Sequence, residues 1–241
     1  FMPGIISSFK ELMEKEFVSK RIGVEELKTF GTPRRLILMA SRVSKKQEDL
    51  EFTKMGPAKN IAYDAEGNPT KAAIGFAKGQ GIDVDDLVIV KTEKGEYISV
   101  EKKEIGVETE TLLPEMLEKV ITSLPCPKSM RWADFDVRFA RPIHWIVSLF
   151  GGKKIPFSMG NIKSGDETRG HRFMAPARIT VTGVSSYLEE IKKAYVIIDP
   201  EERKKIIQQK IIELAAEAGG VPDADEDLLN EVSQIIESPF P

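Results

Sequence analysis

Apolar positions along the chain keep two rhythms, and the switches between them mark out the elements. Ile5, Ile6, Phe9, Leu12, Met13 and Phe17 recur at helical spacing behind Pro3, whose missing N–H costs nothing in a first turn. An amphipathic helix of about four turns is expected there. Gly31-Thr32-Pro33 interrupts the chain before Arg34-Arg35-Leu36-Ile37-Leu38-Met39-Ala40, an apolar run that reads as a strand introduced by two arginines. Residues 44–60 are polar and include Met55-Gly56-Pro57, the composition of an exposed loop or linker.

Asp64 to Asn68-Pro69 is a turn, and Thr70 can cap a short helix running to Lys78 and stopping at Gly79 and Gly81. Residues 87–91 and 97–103 flank Glu93-Lys94-Gly95-Glu96 and predict a β-hairpin. Leu113, Met116, Leu117, Val120 and Ile121 form a second helical stripe, which Pro125 and Pro127 forbid from continuing. Residues 143–150 and 154–159, joined by Gly151-Gly152-Lys153, read as another hairpin with Pro156 on its edge strand. Strands are expected at 179–182 and 195–198 around a short helix from Ser185. Asp199-Pro200-Glu201-Glu202 then opens a helix whose stripe of Ile207, Ile211, Leu214, Ala215 and Ala218 should be buried before Gly219-Gly220 ends it.

Hairpins outnumber strand–helix–strand crossovers, which predicts an α+β fold of mainly antiparallel sheet with packed helices. Composition divides the chain into an N-terminal helix and strand segment (1–44), an α+β domain (56–198) and a helical, acidic segment (199–241). The 241 residues carry 35 basic and 38 acidic side chains, a net charge of −3. From Asp199 onward eleven acidic residues face four basic ones, so the preceding body carries +4. That is well short of a dedicated nucleic-acid binder, and any RNA contact must be local. No stretch approaches the roughly 18 apolar residues of a membrane span. The lone Cys126 excludes an internal disulfide framework and fits a reducing cytoplasm. Phe1 and the closing Ser238-Pro239-Phe240-Pro241 do not resemble natural termini, and the chain reads as a fragment.

Few residues suggest chemistry of their own. The two histidines, His144 and His171, have no neighbouring Cys or Glu at metal-ligand spacing. Gly75-x-x-x-Gly79-x-Gly81 lacks the Lys-Ser/Thr ending of a phosphate loop and falls where a helix ends, so helix termination explains it better. Asp134-x-Asp136 could hold magnesium, but it reads more simply as a solvated pair offsetting nearby arginines. Two windows stand out. Residues 128–145 hold Lys128, Arg131, Arg138 and Arg141 with Trp132, Phe135, Phe139 and Trp145 interleaved; residues 161–178 hold Lys163, Arg169, Arg172 and Arg178 beside Phe173. Arginine forks pair with phosphate oxygens and aromatic faces stack on unpaired bases, so the mixture suits a folded RNA or its single-stranded end. An arginine-rich core edge with internal ion pairs to Asp134, Asp136, Asp166 or Glu167 would give the same composition.

Phe30-Gly31-Thr32-Pro33-Arg34-Arg35-Leu36, Lys128-Ser129-Met130-Arg131-Trp132, Phe139-Ala140-Arg141-Pro142-Ile143-His144-Trp145 with Leu149-Phe150-Gly151, and Thr168-Arg169-Gly170-His171-Arg172-Phe173 occur in that order. Together they resemble the β subunit of bacterial glycyl-tRNA synthetase. The stretch from Gly56-Pro57 through Ala72-Ala73-Ile74-Gly75-Phe76-Ala77 is similar to the same family. The resemblance implies an N-terminal portion of an α2β2 ligase that joins glycine to tRNA(Gly). In such an enzyme the α subunit carries the ATP- and Mg-dependent activation, and this chain itself would bind no cofactor and carry no catalytic residue. Its partners would be the α subunit, tRNA(Gly) and a second β subunit, in the cytoplasm. The candidate tRNA-binding residues are Arg34, Arg35, Lys128, Arg131, Arg138, Arg141, Arg169, His171 and Arg172. Part of the region is also remotely similar to the editing-type domain of the phenylalanyl-tRNA synthetase β chain. That leaves a hydrolase acting on mischarged tRNA, or a purely structural docking module, as alternatives.

Overall fold

The computed structural model describes residues 2–239 apart from 133 and 224. Helix α1 (Met2–Ser19) is followed by an antiparallel hairpin of β1 (Glu26–Thr32) and β2 (Arg35–Ser41). Thr32 pairs with Arg35, so Pro33-Arg34 is a two-residue turn, and the Thr32 hydroxyl accepts from the Arg34 N–H at 3.3 Å. What precedes the predicted strand is thus its own partner strand. Glu26–Thr32 alternates too weakly to announce itself, with only Leu27, Gly31 and Thr32 buried.

Residues 48–106 form a compact unit of their own, set into the chain between residues 47 and 107. It holds β3 (Leu50–Ala58), the short α2 (Lys59–Ala62), α3 (Lys71–Gln80), β4 (Val88–Thr92) and β5 (Gly95–Glu104). The sheet order is β3-β5-β4, antiparallel throughout, with a register shift in β3 between Met55 and Ala58. Gly56 lies at this irregularity for a steric reason: a Cβ there would stand 2.7 Å from the Phe76 ring. Ala62, Ala73 and Ile98 make the small core, backed by Tyr63, Phe76, Val84 and Leu87. The predicted cap is present, with the Thr70 hydroxyl accepting from the Ala72 N–H and Gly81 closing α3 in the left-handed conformation. The predicted hairpin is β4–β5. Residues 50–58, read as loop, are strand: 51–55 are exposed, the others half-buried and none buried, so backbone pairing rather than burial defines the element.

The other unit combines residues 1–47 with 107–241. Its two crossing points are tied together: Gln47 N–H donates to Val107 O at 2.9 Å, and the Val107 N–H donates to Gln47 Oε1 at 3.0 Å. Composition alone placed segment limits at 44, 56 and 198, whereas compactness follows these cross-chain ties. Helix α4 (Thr109–Thr122) then packs on α1. Their apolar faces, with Ile5, Phe9, Met13 and Phe17 against Leu113, Met116 and Val120, meet Ile22, Leu27 and Ile155 in the main core.

Beyond α4 the chain makes short pairings: β6 (Met130–Arg131) with β7 (Arg138–Phe139), and β9 (Leu149–Phe150) with β10 (Lys153–Lys154). Between β7 and β9 lies β8 (Ile146–Val147), and β11 (Ser158–Met159) turns back on β12 (Ile162–Gly165). The predicted 143–159 hairpin therefore zips only next to its glycine turn. Its outer halves diverge, because β8 pairs in parallel with β12 and β11 pairs with β12 on the other side. Strands β13 (Glu167–Arg169) and β14 (Arg178–Thr180) pair antiparallel, and α5 (Val184–Lys193) follows. Residues 195–198 are not strand; the Ile197 N–H donates instead to Glu237 O. Helix α6 (Pro200–Glu217) is capped by Asp199 as expected and packs on α7 (Glu226–Ile235). Its expected stripe is largely uncovered, with Ile211 45% and Leu214 51% exposed, while the one buried side chain of α6 is Arg203. The fold is α+β with mainly antiparallel sheet.

Candidate nucleic-acid interface

The β1–β2 turn delivers Arg34 and Arg35 to one end of a cleft of about 1600 Å³. Arg35 is only 7% exposed. Its Nη2 donates to Gly170 O at 3.0 Å, and its Nε lies 3.2 Å from Glu237 Oε1. The same Glu237 oxygen accepts from the Thr32 hydroxyl at 2.6 Å, and Arg34 Nη1 stands 3.8 Å from the other carboxylate oxygen. Gly170 is required beside this group, because a Cβ there would meet the Ala175 carbonyl and lie 2.7 Å from Ala194 Cβ. A second buried guanidinium, Arg203, braces the arrangement from below. Its Nε donates to Ser233 O at 2.7 Å, its Nη1 to Ile197 O at 2.6 Å and its Nη2 to Gly31 O at 3.4 Å.

Burial pushes Arg35 down from the ordinary arginine value, and Glu237 pulls it back up. Arg203 is lowered for the same reason, with Asp199 and Glu237 opposing. Tyr187, also on the cleft wall, is pushed up to about 12, mainly by burial, with the neighbouring Arg35 working against the shift. The Trp145 indole lies near both turn arginines, its ring centroid 5.7 Å from Arg34 Cζ and 5.6 Å from Arg35 Cζ. Three of the sequence signatures thus meet at one corner.

Both arginine-bearing windows reach this cleft: Lys128 and Arg141 line it from the first, Arg169 and Arg172 from the second. Internal pairing does not explain these cations. Asp136 pairs with Arg131 at 3.3 Å, Asp166 with Lys154 at 3.1 Å and Glu167 with Arg178 at 2.9 Å. Among the described residues, no carboxylate lies at ion-pair distance from Arg141, Arg169 or Arg172; Arg172 rests on the Phe173 ring at 5.5 Å. The remaining candidates are placed differently. Arg131 is held by Asp136, Arg138 donates to the hydroxyl and carbonyl of Ser129, and neither lines the cleft. His171 is half-buried, and its Nδ1 accepts from the N–H groups of Phe173 at 3.4 Å and Met174 at 3.3 Å, so it organises a turn. His144 is exposed at the cleft edge. No group of three or more metal-ligating side chains occurs among the described residues.

Glu237, Arg203, Thr32 and Tyr187 are absent from the sequence-derived candidates. Glu237 and Arg203 sit in acidic, helix-forming sequence where such residues are normally solvated, and only the tertiary fold sets them beside Arg35.

The family model for the glycyl-tRNA synthetase beta subunit matches residues 1–241. The chain belongs to this family. It is 56% identical over 239 residues to the glycine–tRNA ligase beta subunit of Geobacter sp. strain M21, covering 99% of this chain and 35% of that protein. The Citrifermentans bemidjiense beta subunit is 55% identical and that of Syntrophotalea carbinolica 47%, with the same coverage. The chain therefore spans about a third of the length of the curated relatives it matches. Within this beta-subunit chain the cleft combines basic side chains with apolar residues of α1, β2 and α4.

Proposed function

We propose that this chain is the part of a glycine–tRNA ligase beta subunit that grips tRNA(Gly) through the arginine-lined cleft and helps to hold the enzyme together. The alpha subunit would carry out ATP- and Mg-dependent activation of glycine in a cytoplasmic α2β2 assembly containing a second beta subunit. The observation that carries the reading is the set of cleft guanidiniums, Arg141, Arg169 and Arg172, left without carboxylate partners among the described residues. A guanidinium held at a groove wall and not consumed by an internal ion pair is free to take phosphate oxygens in its fork.

Two measurements test it. Full-length beta subunit without alpha should give no glycine-dependent ATP–pyrophosphate exchange, and exchange above a mock preparation would overturn the assignment of activation to alpha. In the assembled enzyme, replacing Arg141, Arg169 or Arg172 singly by Gln should weaken tRNA binding and shallow its salt dependence by about one unit of slope. An unchanged slope in all three would remove the cleft from the RNA interface.

A further inference from the structure

The Arg34–Arg35 corner carries more positive charge and more donors than its surroundings use. Arg34 and Arg35 bring two guanidiniums to the one carboxylate of Glu237. Among the described residues, one charge is left without a counterpart. Arg35 Nη1, Arg35 Nε and Arg34 Nη1 are, among the described residues, buried atoms without a hydrogen-bond acceptor, the last two keeping only ion-pair contacts of 3.2 and 3.8 Å with Glu237. The Arg35 side chain retains 3% of its accessible surface and that of Arg34 29%. Buried charged donors are almost always satisfied, since leaving one unmade forfeits its hydration without replacement. The indole of Trp145 lies close to both guanidiniums and lines the cleft. A ring face attracts a cation but accepts hydrogen bonds poorly, so the indole is a weaker partner than an oxyanion would be.

We infer that Arg34 and Arg35 form a subsite for a single phosphate of an RNA strand, capped in the unliganded protein by Trp145 and opened when the indole moves aside. The inference rests on the reading of the cleft as an RNA interface. It goes beyond that reading by naming one buried site, distinct from the exposed wall arginines, and a side chain that must move. An RNA phosphate suits the corner better than a protein carboxylate, because cations without carboxylate partners among the described residues recur along the same cleft at Arg141, Arg169 and Arg172. A polyanion meets all of them at once. The phosphate would lie at Arg35 Nη1, away from Glu237, whose carboxylate already accepts from Arg35 Nη2 at 3.5 Å and from the Thr32 hydroxyl. Arg35 thereby becomes a bridge between an internal carboxylate and an external phosphate.

The test uses the assembled full-length enzyme and tRNA(Gly). Arg34→Gln should bind with a salt slope shallower by about one unit, and one neutral methylphosphonate position that weakens wild-type binding several-fold should become silent in this variant. The tRNA-induced change in tryptophan emission should shrink in Trp145→Phe relative to wild type. Arg34→Lys keeps the charge but not the fork, and should retain the slope while losing several-fold in affinity; it supplies the reading if the Gln variant folds poorly. Full slope in Arg34→Gln with a shallower slope in Arg141→Gln would overturn the subsite and leave the cleft as the RNA interface. Unchanged slopes in both would overturn the two together. Looser binding of the alpha subunit by Arg34→Gln at unchanged slope would make the missing anion a protein carboxylate, and the phosphate subsite would fall.

Discussion

Arg35 and Glu237 are 202 residues apart and both almost fully buried, so their pairing, with the Thr32 and Arg34 contacts to the same carboxylate, closes a long loop of chain. Removing one member of such a pair strands the other in a medium that cannot solvate it. Glu237→Gln should therefore destabilise the unit by roughly 3–5 kcal/mol, read as a lowered midpoint in denaturant unfolding. A loss below about 1 kcal/mol would mean that Arg35 is solvated in solution. Tyr187 offers a second check at this scale. Its phenol stays protonated in the folded protein until about pH 12, whereas the unfolded chain ionises it near the ordinary 10.0. The native state then holds the extra proton between those values, so the contribution of this group is intact below pH 10 and is lost as pH rises toward 12. Tyr187→Phe should flatten the alkaline fall in stability by up to one proton's worth of slope, about 1.4 kcal/mol per pH unit. The sequence marks Arg35 as one of two arginines introducing a strand and as a candidate tRNA-binding residue, but does not show that it is buried. Nothing local distinguishes a buried arginine from a solvated one; the carboxylate that decides the matter lies at the other end of the chain.

Elements were legible where their own side chains carry the signal. Helices α1 and α4 bury a regular apolar stripe, and α3 and α6 are announced by Thr70 and Asp199, which cap through side-chain oxygens. Thr70→Ala should cost about 1 kcal/mol through the lost Ala72 contact, measurable by thermal melting. Elements defined by a partner were not legible. Strand β3 mixes apolar and polar residues and buries none of them, and its identity rests on the ladder it makes with β5. Strands β8 and β11 both answer to β12, a choice that the glycine turn between them does not reveal. The stripe on α6 errs in the other direction, since spacing predicts a buried face and cannot say whether the rest of the chain covers it. Gly170 is the tightest test of the packing among β13, α5 and the turn between them. Gly170→Ala places a methyl against Ala194 and the Ala175 carbonyl, and overpacking of this kind typically costs ~1–3 kcal/mol. The melting temperature should fall accordingly, whereas an unchanged melt would show that the segment relaxes freely.

At the scale of the whole molecule, the candidate site is assembled from pieces that the sequence scatters over more than 130 residues: the β1–β2 turn, the stretch around Trp145, and β13 with the turn that follows it. The order of these motifs along the chain was readable and pointed to the right family. Which cations share a surface was not, because that depends on the long-range contacts through Arg35, Glu237 and Arg203 that close the corner. The resulting division is between a buried arginine such as Arg203, whose donors are taken by backbone carbonyls, and cleft-wall arginines without carboxylate partners among the described residues. Binding of tRNA(Gly) to the assembled enzyme, measured across a salt series for wild type and for the combined Arg141→Gln, Arg169→Gln and Arg172→Gln variant, should show a slope of log affinity against log salt shallower by roughly three units, at an unchanged melting temperature. A variant that stays folded and retains the wild-type slope would contradict the assignment of this cleft to tRNA.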